Sequence, residues 1–331
     1  MFLTTKLITT CVLLLILKNS LIAQKLDPSG GSIGLSYTLQ PVQPFKDTVG
    51  GFASHGWGVH LSLPLFGNRE KVLPEIKDGE RPHFYQVSGH ANFESLRAGI
   101  GFIAGDRTIY QASTGLGWLS YNGKKDILLA DLNIGISSDA LAIQSHDERY
   151  RFSGLFLVNH IQNNSLTWQY GLVFTYVYGR PLPLPVLGMR KKISRTWTVA
   201  AVLPVSLRFM DRLNKNMRID FLLRPSGNRF QLQNQHNFGT SSSTVYMQLK
   251  QFQLGASWLY RFAPQFSIET EAGLLTGGKL RFTEPDDNKS VLYQTTMKPG
   301  FRGRISLRYH LFHKRSAGEM PDNGADLLRV N

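Results

Sequence analysis

Cysteine is almost absent from this chain, which has only Cys11 in 331 residues. An exported protein of this length without disulfides must be held together by a core or by closure of a sheet. Acidic residues are also scarce, with 23 Asp and Glu against 37 Lys and Arg, so the formal charge is +14. No recognisable nucleic-acid module accompanies this charge, and no run of helical period follows the first two dozen residues. These absences exclude a disulfide framework and argue against nucleic acid as a partner.

The first 23 residues have the pattern of a signal peptide. Residues 1–6 are short and basic, and residues 7–17 are apolar but shorter than the roughly 20 residues that span a bilayer. Cleavage after Ala23 would remove two lysines and no acid, so the charge would fall from +14 to +12. An uncleaved anchor helix is the alternative. A lipid anchor is excluded, because Cys11 lies inside the apolar run without a lipobox.

Apolar and polar residues alternate from Trp197 to Phe209, over the length of a tilted membrane-crossing strand. One face would carry Trp197, Val199, Ala201, Leu203, Val205, Leu207 and Phe209. A fully apolar face that ends in aromatic residues is typical of a transmembrane β-barrel strand.

The same alternation recurs along the chain. It covers Ile33 to Leu39, Trp57 to Leu65, Tyr85 to Phe93, Tyr110 to Trp118, Leu128 to Ile136, Arg151 to Asn159, Leu166 to Tyr178, Met217 to Leu223, Phe252 to Phe262, Phe266 to Leu274 and Phe301 to Leu311. We therefore predict an all-β fold, a transmembrane antiparallel up-and-down β-barrel over residues 24–312. The number of strands would be about 12, with roughly 10 to 14 allowed, since single-chain barrels use even numbers.

The segments between these strands divide into tight turns and longer polar connections. Tight turns are predicted at Asn163-Asn164, Ser226-Gly227-Asn228 and Ala263-Pro264. The longer connections, predicted to be the outer loops, are Gly67 to Arg81, Ala140 to Glu148, Gln235 to Thr244 and Thr283 to Ser290. Residues 313–331 carry no strand period and are predicted to be a disordered or periplasmic tail.

Three alternate prolines, Pro181, Pro183 and Pro185, interrupt the pattern before Ile193. Each lacks the backbone N–H that a strand donates to its neighbour, so residues 181–193 are not predicted to be an ordinary central strand. An extended, polyproline-like approach to a short strand fits the residues better.

Charged residues take the inward parity of several predicted strands. The candidate lumen charges are Arg208, Arg218, Arg261, Glu269, Glu271, Arg302, Arg304 and Arg308, with Arg224 of the same parity. In a small barrel such charges pair and fill the lumen, whereas in a wider one they line a pore that attracts anions. The sequence leaves both alternatives open.

Signals for catalysis and metal binding are weak. A hydrolase at the barrel rim would need a nucleophile, a histidine and an orienting group, and the candidates are His146, His160 and Asn159 with Ser145 and Ser153. Nothing in the sequence fixes their mutual geometry. His310 and His313 fall on opposite faces, and Asp286-Asp287-Asn288 is typical of a turn. We therefore expect no catalytic residue, no metal and no cofactor.

One region of the chain carries a recognisable set of residues, namely Tyr178-Gly179, Pro183 to Arg190, Trp197, Leu203-Pro204 and Arg208-Phe209. This set resembles an uncharacterised outer-membrane β-barrel family of the Bacteroidota. The Ala23-Gln24 start is similar to exported proteins of that group. The resemblance is sharpest over residues 170–210. Because that family is a domain of unknown function, it implies a fold and an outer-membrane location but no functional residue.

The sequence thus favours a small channel or a structural envelope barrel with an arginine-rich lumen. The alternatives are an interaction subunit of an envelope or secretion assembly and a lipid-modifying enzyme with a site at the rim. Expected partners are outer-membrane lipid and lipopolysaccharide, the barrel-insertion machinery and small anionic solutes. The expected location is the outer membrane of a Gram-negative cell, reached through a cleaved signal peptide.

Overall fold

The computed structural model describes residues 31–67, 84–100, 105–121, 125–139, 150–175, 182–234, 243–284 and 290–311. The predicted signal peptide and the predicted tail lie outside these ranges. Within them all regular structure is β-strand, and no helix is long and apolar enough to cross a membrane.

Fifteen strands occupy the described ranges. They are β1 (Ser32–Pro44), β2 (Gly51–Gly67), β3 (Phe84–Gly99), β4 (Asp106–Tyr121), β5 (Asp126–Ser138), β6 (Tyr150–Asn163), β7 (Leu166–Thr175), β8 (Leu182–Lys192), β9 (Trp197–Leu203), β10 (Ser206–Arg212), β11 (Met217–Gln233), β12 (Thr244–Ala263), β13 (Phe266–Thr283), β14 (Val291–Thr296) and β15 (Gly300–His310). From β1 to β13, each strand pairs in antiparallel register with the next.

The sheet closes through β15, which pairs with β13 on one side and with β1 on the other. Leu307, for example, lies between Ile268 and Leu35. Because β14 and β15 both run beside β13, one after the other, they make a single interrupted crossing. The described strands therefore form a closed antiparallel barrel of 14 strands. The predicted fold class is confirmed, and the strand number lies within the range expected from the sequence.

The two faces of the barrel wall differ as the alternation predicted. The outer face carries exposed apolar side chains around the barrel, including Leu35, Trp57, Leu116, Leu132, Phe156, Tyr170, Leu187, Leu203, Phe221, Leu254, Leu274 and Ile305. Rings of Trp258, Tyr260, Phe262, Phe266 and Tyr309 follow one another on this face, with centroids 5.0 to 6.4 Å apart. An apolar band bordered by aromatic rings is the outer surface of a membrane-spanning barrel.

The alternating segment from Trp197 to Phe209 is a hairpin of two strands, so the prediction of a single crossing is wrong. The chain turns back between β9 and β10, where the N–H of Val205 bonds to the carbonyl of Val202 at 2.6 Å. Pro204 has no N–H for a continued ladder, which allows the chain to leave the strand there. Val205 is 5% exposed and packs against Val202, instead of facing lipid.

The proline-rich segment does form a strand of the barrel wall. β8 pairs with β7 along its whole length, but with β9 only from Leu187 to Lys192. The half that contains Pro183 and Pro185 therefore has β7 as its only described partner. Proline is tolerated there because one side of the strand has no ladder to supply with donors. The half with the prolines is thus not an ordinary central strand, as predicted, and residues 187–192 form the short strand to which the extended segment leads.

The two ends of the barrel differ in what connects the strands. Ser32 pairs with His310, so both described chain ends lie at one end, here called the terminal end; the opposite end is the far end. Three of the four predicted outer loops leave their strands at the far end. The connection predicted at Gly67 to Arg81 joins β2 to β3 at the terminal end, so the four connections do not all lie at one end as predicted. Loop length does not identify the end of the barrel, whereas the order of strands does.

At the far end, β11 leaves the barrel wall. After Leu223, residues of β11 have no β10 partner among the described pairs, although β11 stays paired with β12 up to Gln233. The last residues of β11 reach across the barrel to β5, where Gln231 pairs in parallel register with Ser138. Ser226-Gly227-Asn228, predicted to be a tight turn, lies inside β11, so that prediction is wrong. Its turn-forming residues mark the point at which the strand separates from β10.

A hydrophobic cluster fills the far end of the barrel. Its members are inward side chains from opposite walls: Phe45, Phe52, Leu96, Ala98, Ile100, Ile109, Phe230, Leu232, Val245, Met247, Leu249, Leu280, Phe282 and Met297. All are at most 8% exposed. Packing of this kind leaves little free volume, since protein cores reach the density of organic crystals. The upper β11–β12 hairpin, residues 224–233 and 244–250, thus acts as a cover over the lumen.

Candidate functional site

The lumen below this cover is lined by charged residues on one wall. This wall, made of β10 to β13 and β15, places the guanidinium groups of Arg208, Arg212, Arg218, Arg224, Arg261, Arg302, Arg304 and Arg308 on its inner face, together with the carboxylates of Asp220, Glu269 and Glu271. Every candidate lumen charge from the sequence therefore lies on the inner face. Guanidinium groups outnumber carboxylates on this wall.

Asp220 is the most buried carboxylate of the charged wall. It is 2% exposed and lies 2.9 Å from Nε of Arg218 and 3.5 Å from a terminal nitrogen of Arg208. The sequence analysis did not single out Asp220, although its parity on β11 is that of Arg218. A carboxylate placed between two arginines neutralises part of their charge and holds both side chains against the wall.

The two glutamates of β13 are also engaged. Glu271 accepts hydrogen bonds from Arg224 and from the amide of Gln253, each at 2.6 Å. Glu269 accepts one from Arg308 at 2.8 Å. The short distances are those of charge-assisted hydrogen bonds, which fix the two arginines in place.

Two further arginines on β15 are held by hydroxyl groups. Arg302 donates to Oγ of Ser226 at 3.0 Å, and Arg304 donates to Oγ of Ser36 at 3.5 Å. The first contact joins residues that are 76 positions apart, at the point where β11 leaves the wall.

The opposite wall of the lumen carries imidazole and amide groups that the sequence analysis did not identify. His90 on β3 lies 2.5 Å from Oδ1 of Asn133 and 3.8 Å from Asp131, both on β5. His60 on β2 contacts Asn92 on β3. No short sequence spacing could have predicted these contacts, because the two residues of each pair lie on different strands. The lumen is thus polar on the two walls that carry these groups, with the positive charge concentrated on one. Between them, inward side chains of β5 to β9 form a second hydrophobic cluster that includes Leu157, Val173, Val186 and Val202.

Polar contacts tie the hairpin to the strands across the lumen. Asn228 donates to Oε1 of Gln111 at 2.8 Å and accepts from Arg151 at 2.5 Å. Asp139, which follows β5, accepts the backbone N–H of Gln233 at 3.0 Å and pairs with Arg107 at 3.1 Å. Burial raises the pKa of the Asp139 carboxyl, and the hydrogen bond from Gln233 and the charge of Arg107 oppose that rise.

Among the residues considered for catalysis, those that the structure describes are not brought together. His160 bonds to Asp126 at 2.8 Å and is 41% exposed, while Ser153 has the opposite parity on the same strand. Asn159 accepts from Gln169 at 2.6 Å. Ser145, His146, Asp286 to Asn288 and His313 lie outside the described residues. Over the described ranges, no group of three His, Cys, Asp or Glu is placed to hold a metal ion.

Comparison with known proteins identifies the family. Residues 106–312, more than half of the chain, match the family described as domain of unknown function DUF6268. The chain belongs to this family. The expectation of an uncharacterised family is thereby confirmed, while its assignment to the Bacteroidota stays a prediction. No curated protein matches the chain.

Several solved structures are similar in overall arrangement. The COG4313 outer membrane channel from Pseudomonas putida F1 is 9% identical over 86% of this chain and 96% of its own, with a TM-score of 0.45. A FadL homologue from Pseudomonas aeruginosa is 10% identical over 87% and 92%, with a TM-score of 0.42. The KdgM porin is 8% identical over 84% and 98%, with a TM-score of 0.33. These likenesses concern the fold alone.

Proposed function

We propose that this protein is a channel of the outer membrane that passes small anionic solutes. The observation that carries the proposal is the closed barrel with an apolar outer face and an arginine-rich inner face. Closure pairs the backbone groups of neighbouring strands, as a hydrocarbon environment requires. The excess of guanidinium groups over carboxylates would raise the local concentration of anions in the lumen. The role is passive transport rather than catalysis.

Over the described residues, the upper β11–β12 hairpin covers the far end of the channel. The hydrophobic cluster and the hairpin contacts with Gln111 and Asp139 cross the direct path along the barrel axis. Passage of a solute therefore requires the hairpin to move. The proposed channel is gated, and its resting state conducts little.

The proposed surroundings follow from the same outer surface. The exposed apolar face would contact the acyl chains of outer-membrane lipid and lipopolysaccharide, and the barrel-insertion machinery would place it there after removal of the signal peptide. These partners are those of any barrel that crosses this membrane.

Single-channel recording in a planar bilayer with a salt gradient tests the proposal. The protein is purified from the outer membrane of an expressing Gram-negative host, and its folding is checked by a compact band on an unheated gel. We expect brief openings and a reversal potential of the sign that anion preference gives, because the lumen carries excess positive charge. A folded, inserted protein that never opens, or one that prefers cations, would contradict the proposal. Recovery of the folded protein from the inner membrane would contradict the location.

A further inference from the structure

Three arginines of the charged wall, Arg261, Arg302 and Arg304, make no ion pair with a described carboxylate, and two of them, Arg302 and Arg304, stand together on β15. In the described part of the chain, Arg302 and Arg304 have no carboxylate within ion-pair distance, and each makes a single hydrogen bond, to a serine. The acids of this wall are bonded to other arginines: Asp220 to Arg208 and Arg218, Glu271 to Arg224, and Glu269 to Arg308.

Each guanidinium group has five N–H donors, so most donors of the two remain available. Nε of Arg304 is buried and makes no hydrogen bond with any described residue. A buried donor without a partner is costly, and it favours a ligand that brings oxygen atoms. Glu271 and Glu94 attract these arginines electrostatically but do not bond to them, so the positive charge is reduced and not cancelled.

The two arginines are placed to act together. They stand two positions apart on the inner face of β15, about 7 Å between Cα atoms for an extended strand. The hydroxyls of Ser226 and Ser36 flank them on either side. A Cβ atom at Gly58 would come within 2.8 Å of Oγ of Ser36, so glycine at this position leaves the hydroxyl free to bond Arg304.

We propose that Arg302 and Arg304 form a binding site for the oxyanion group, carboxylate or phosphate, of a small solute. The inference rests on the proposed function, because it names the position at which a solute pauses in the lumen. Guanidinium groups bind such groups through paired, charge-assisted N–H···O bonds. The site lies just below the cover, since Ser226 belongs to the segment of β11 that leaves the wall. An anion bound there would wait directly beneath the gate.

Competition with chloride tests the site in the conducting protein. The chloride current of single channels is recorded while sodium phosphate or sodium acetate is added, and the concentration that halves the current is determined for each anion. We expect both Arg302→Gln and Arg304→Gln to raise that concentration about tenfold, because one charge-assisted contact is lost. Arg304→Lys keeps the charge without the fork and should give a smaller rise. If only one of the two anions competes, that anion identifies the group recognised.

Arg308→Gln is the matched control, since it removes the same charge from the same strand face but from an arginine already bonded to Glu269. We expect its half-inhibiting concentration to stay within about twofold of the wild type. If Arg308→Gln raised the half-inhibiting concentration as much as the two site variants, or if the site variants did not raise it, the proposal would be overturned. The effect would then be one of overall charge in the lumen.

A binding measurement separates this inference from the proposed function. Broadening of the phosphorus NMR line of phosphate, and of the methyl line of acetate, by the purified barrel reports binding whether or not the protein conducts. If a protein that does not conduct binds the anion through Arg302 and Arg304, the binding site is supported and the proposed channel function is contradicted. If the protein conducts without any binding or competition, the channel is supported and the binding site is contradicted. All variants are first shown to give the compact band of a folded barrel.

Discussion

Asp220 shows how burial increases the contribution of a single charge in this lumen to the stability of the barrel. Its carboxylate is 2% exposed and faces Arg208 and Arg218, which are 12% and 9% exposed. Removing one partner of a buried ion pair leaves the others charged in a poorly solvated place, which costs more than the pair contributed. The residue therefore stabilises the barrel by neutralising part of the charge of two buried arginines.

We expect Asp220→Asn to lower the free energy of unfolding by about 3 kcal/mol. The asparagine keeps the size and a hydrogen-bonding group but loses the charge, so the two arginines repel each other. Equilibrium unfolding in denaturant, followed by the fluorescence of the five tryptophans, measures the change.

Asp126→Asn is the control for this prediction, because it makes the same chemical change in a pair on the outer surface. Asp126 and His160 are 36% and 41% exposed, so the loss should be below about 1 kcal/mol. Equal losses in the two variants would show that burial of Asp220 has no special role.

In the proposed channel, the upper β11–β12 hairpin is the element that would decide whether the lumen is open. It is held by backbone pairing with β5, by the hydrophobic cluster and by Asp139, which joins the N–H of Gln233 to Arg107. The β10 side of this segment of β11 has no described partner. Residues 246–250 of β12 stay paired with residues 279–283 of β13, so the β11 edge is the part of the hairpin that can separate from β5 without breaking the wall of the barrel.

We expect Asp139→Ala to increase the fraction of time that single channels are open. The change removes the acceptor that holds the hairpin backbone and leaves Arg107, 7% exposed, without this counter-charge. Single-channel recording at constant voltage measures the open fraction. Asp106→Ala is the matched control at the same end of the barrel, since the Arg97–Asp106 pair is 62% and 68% exposed and touches no part of the hairpin.

A reversible crosslink between the hairpin and β5 should keep the channel closed, the opposite of the effect expected for Asp139→Ala. Ser138→Cys with Gln231→Cys places two thiols at paired positions of neighbouring strands, in a protein whose only native cysteine is Cys11. In the Asp139→Ala background, oxidation should abolish the openings and reduction should restore them. Openings that persist after complete oxidation would show that the conducting path does not pass the hairpin.

At the scale of the whole molecule, the barrel depends on the pairing of its first and last strands. Residues 32–39 of β1 pair with residues 303–310 of β15, and β15 also completes the ladder of β13. Without this closure, two strand edges would face hydrocarbon with unpaired backbone groups, each costing several kcal/mol by rough estimate. Closure is therefore a condition for stable insertion.

We expect truncation after residue 299 to abolish the compact band on unheated gels, because β15 is lost and the barrel cannot close. Truncation after residue 312 should leave that band unchanged, since every described pair of β15 lies before it. Electrophoresis of heated and unheated membrane extracts compares the two forms. A compact band from the shorter chain would contradict the role of β15 in closure.

The sequence by itself determined the fold class, the two faces of the wall and the inward side of the candidate charges. The reason is physical: successive side chains of a strand point to opposite faces, so a local alternation such as that of Phe252 to Phe262 already separates lipid from lumen. The same local pattern could not show that Trp197 to Phe209 turns back at Pro204, since both halves of the hairpin keep the same outer parity. It also could not show that β8 has β7 and β9 as neighbours.

Only the tertiary structure decided which charges are matched and what closes the lumen. Arg302 meets Ser226 across 76 residues, and Arg151 meets Asn228 across 77, through the register of strands that no short-range period encodes. Ser226-Gly227-Asn228 has the composition of a turn, yet pairing with β12 keeps it extended and carries the hairpin over the lumen. Local periodicity sets the direction of a side chain, whereas its partner depends on which strands the closed sheet brings together.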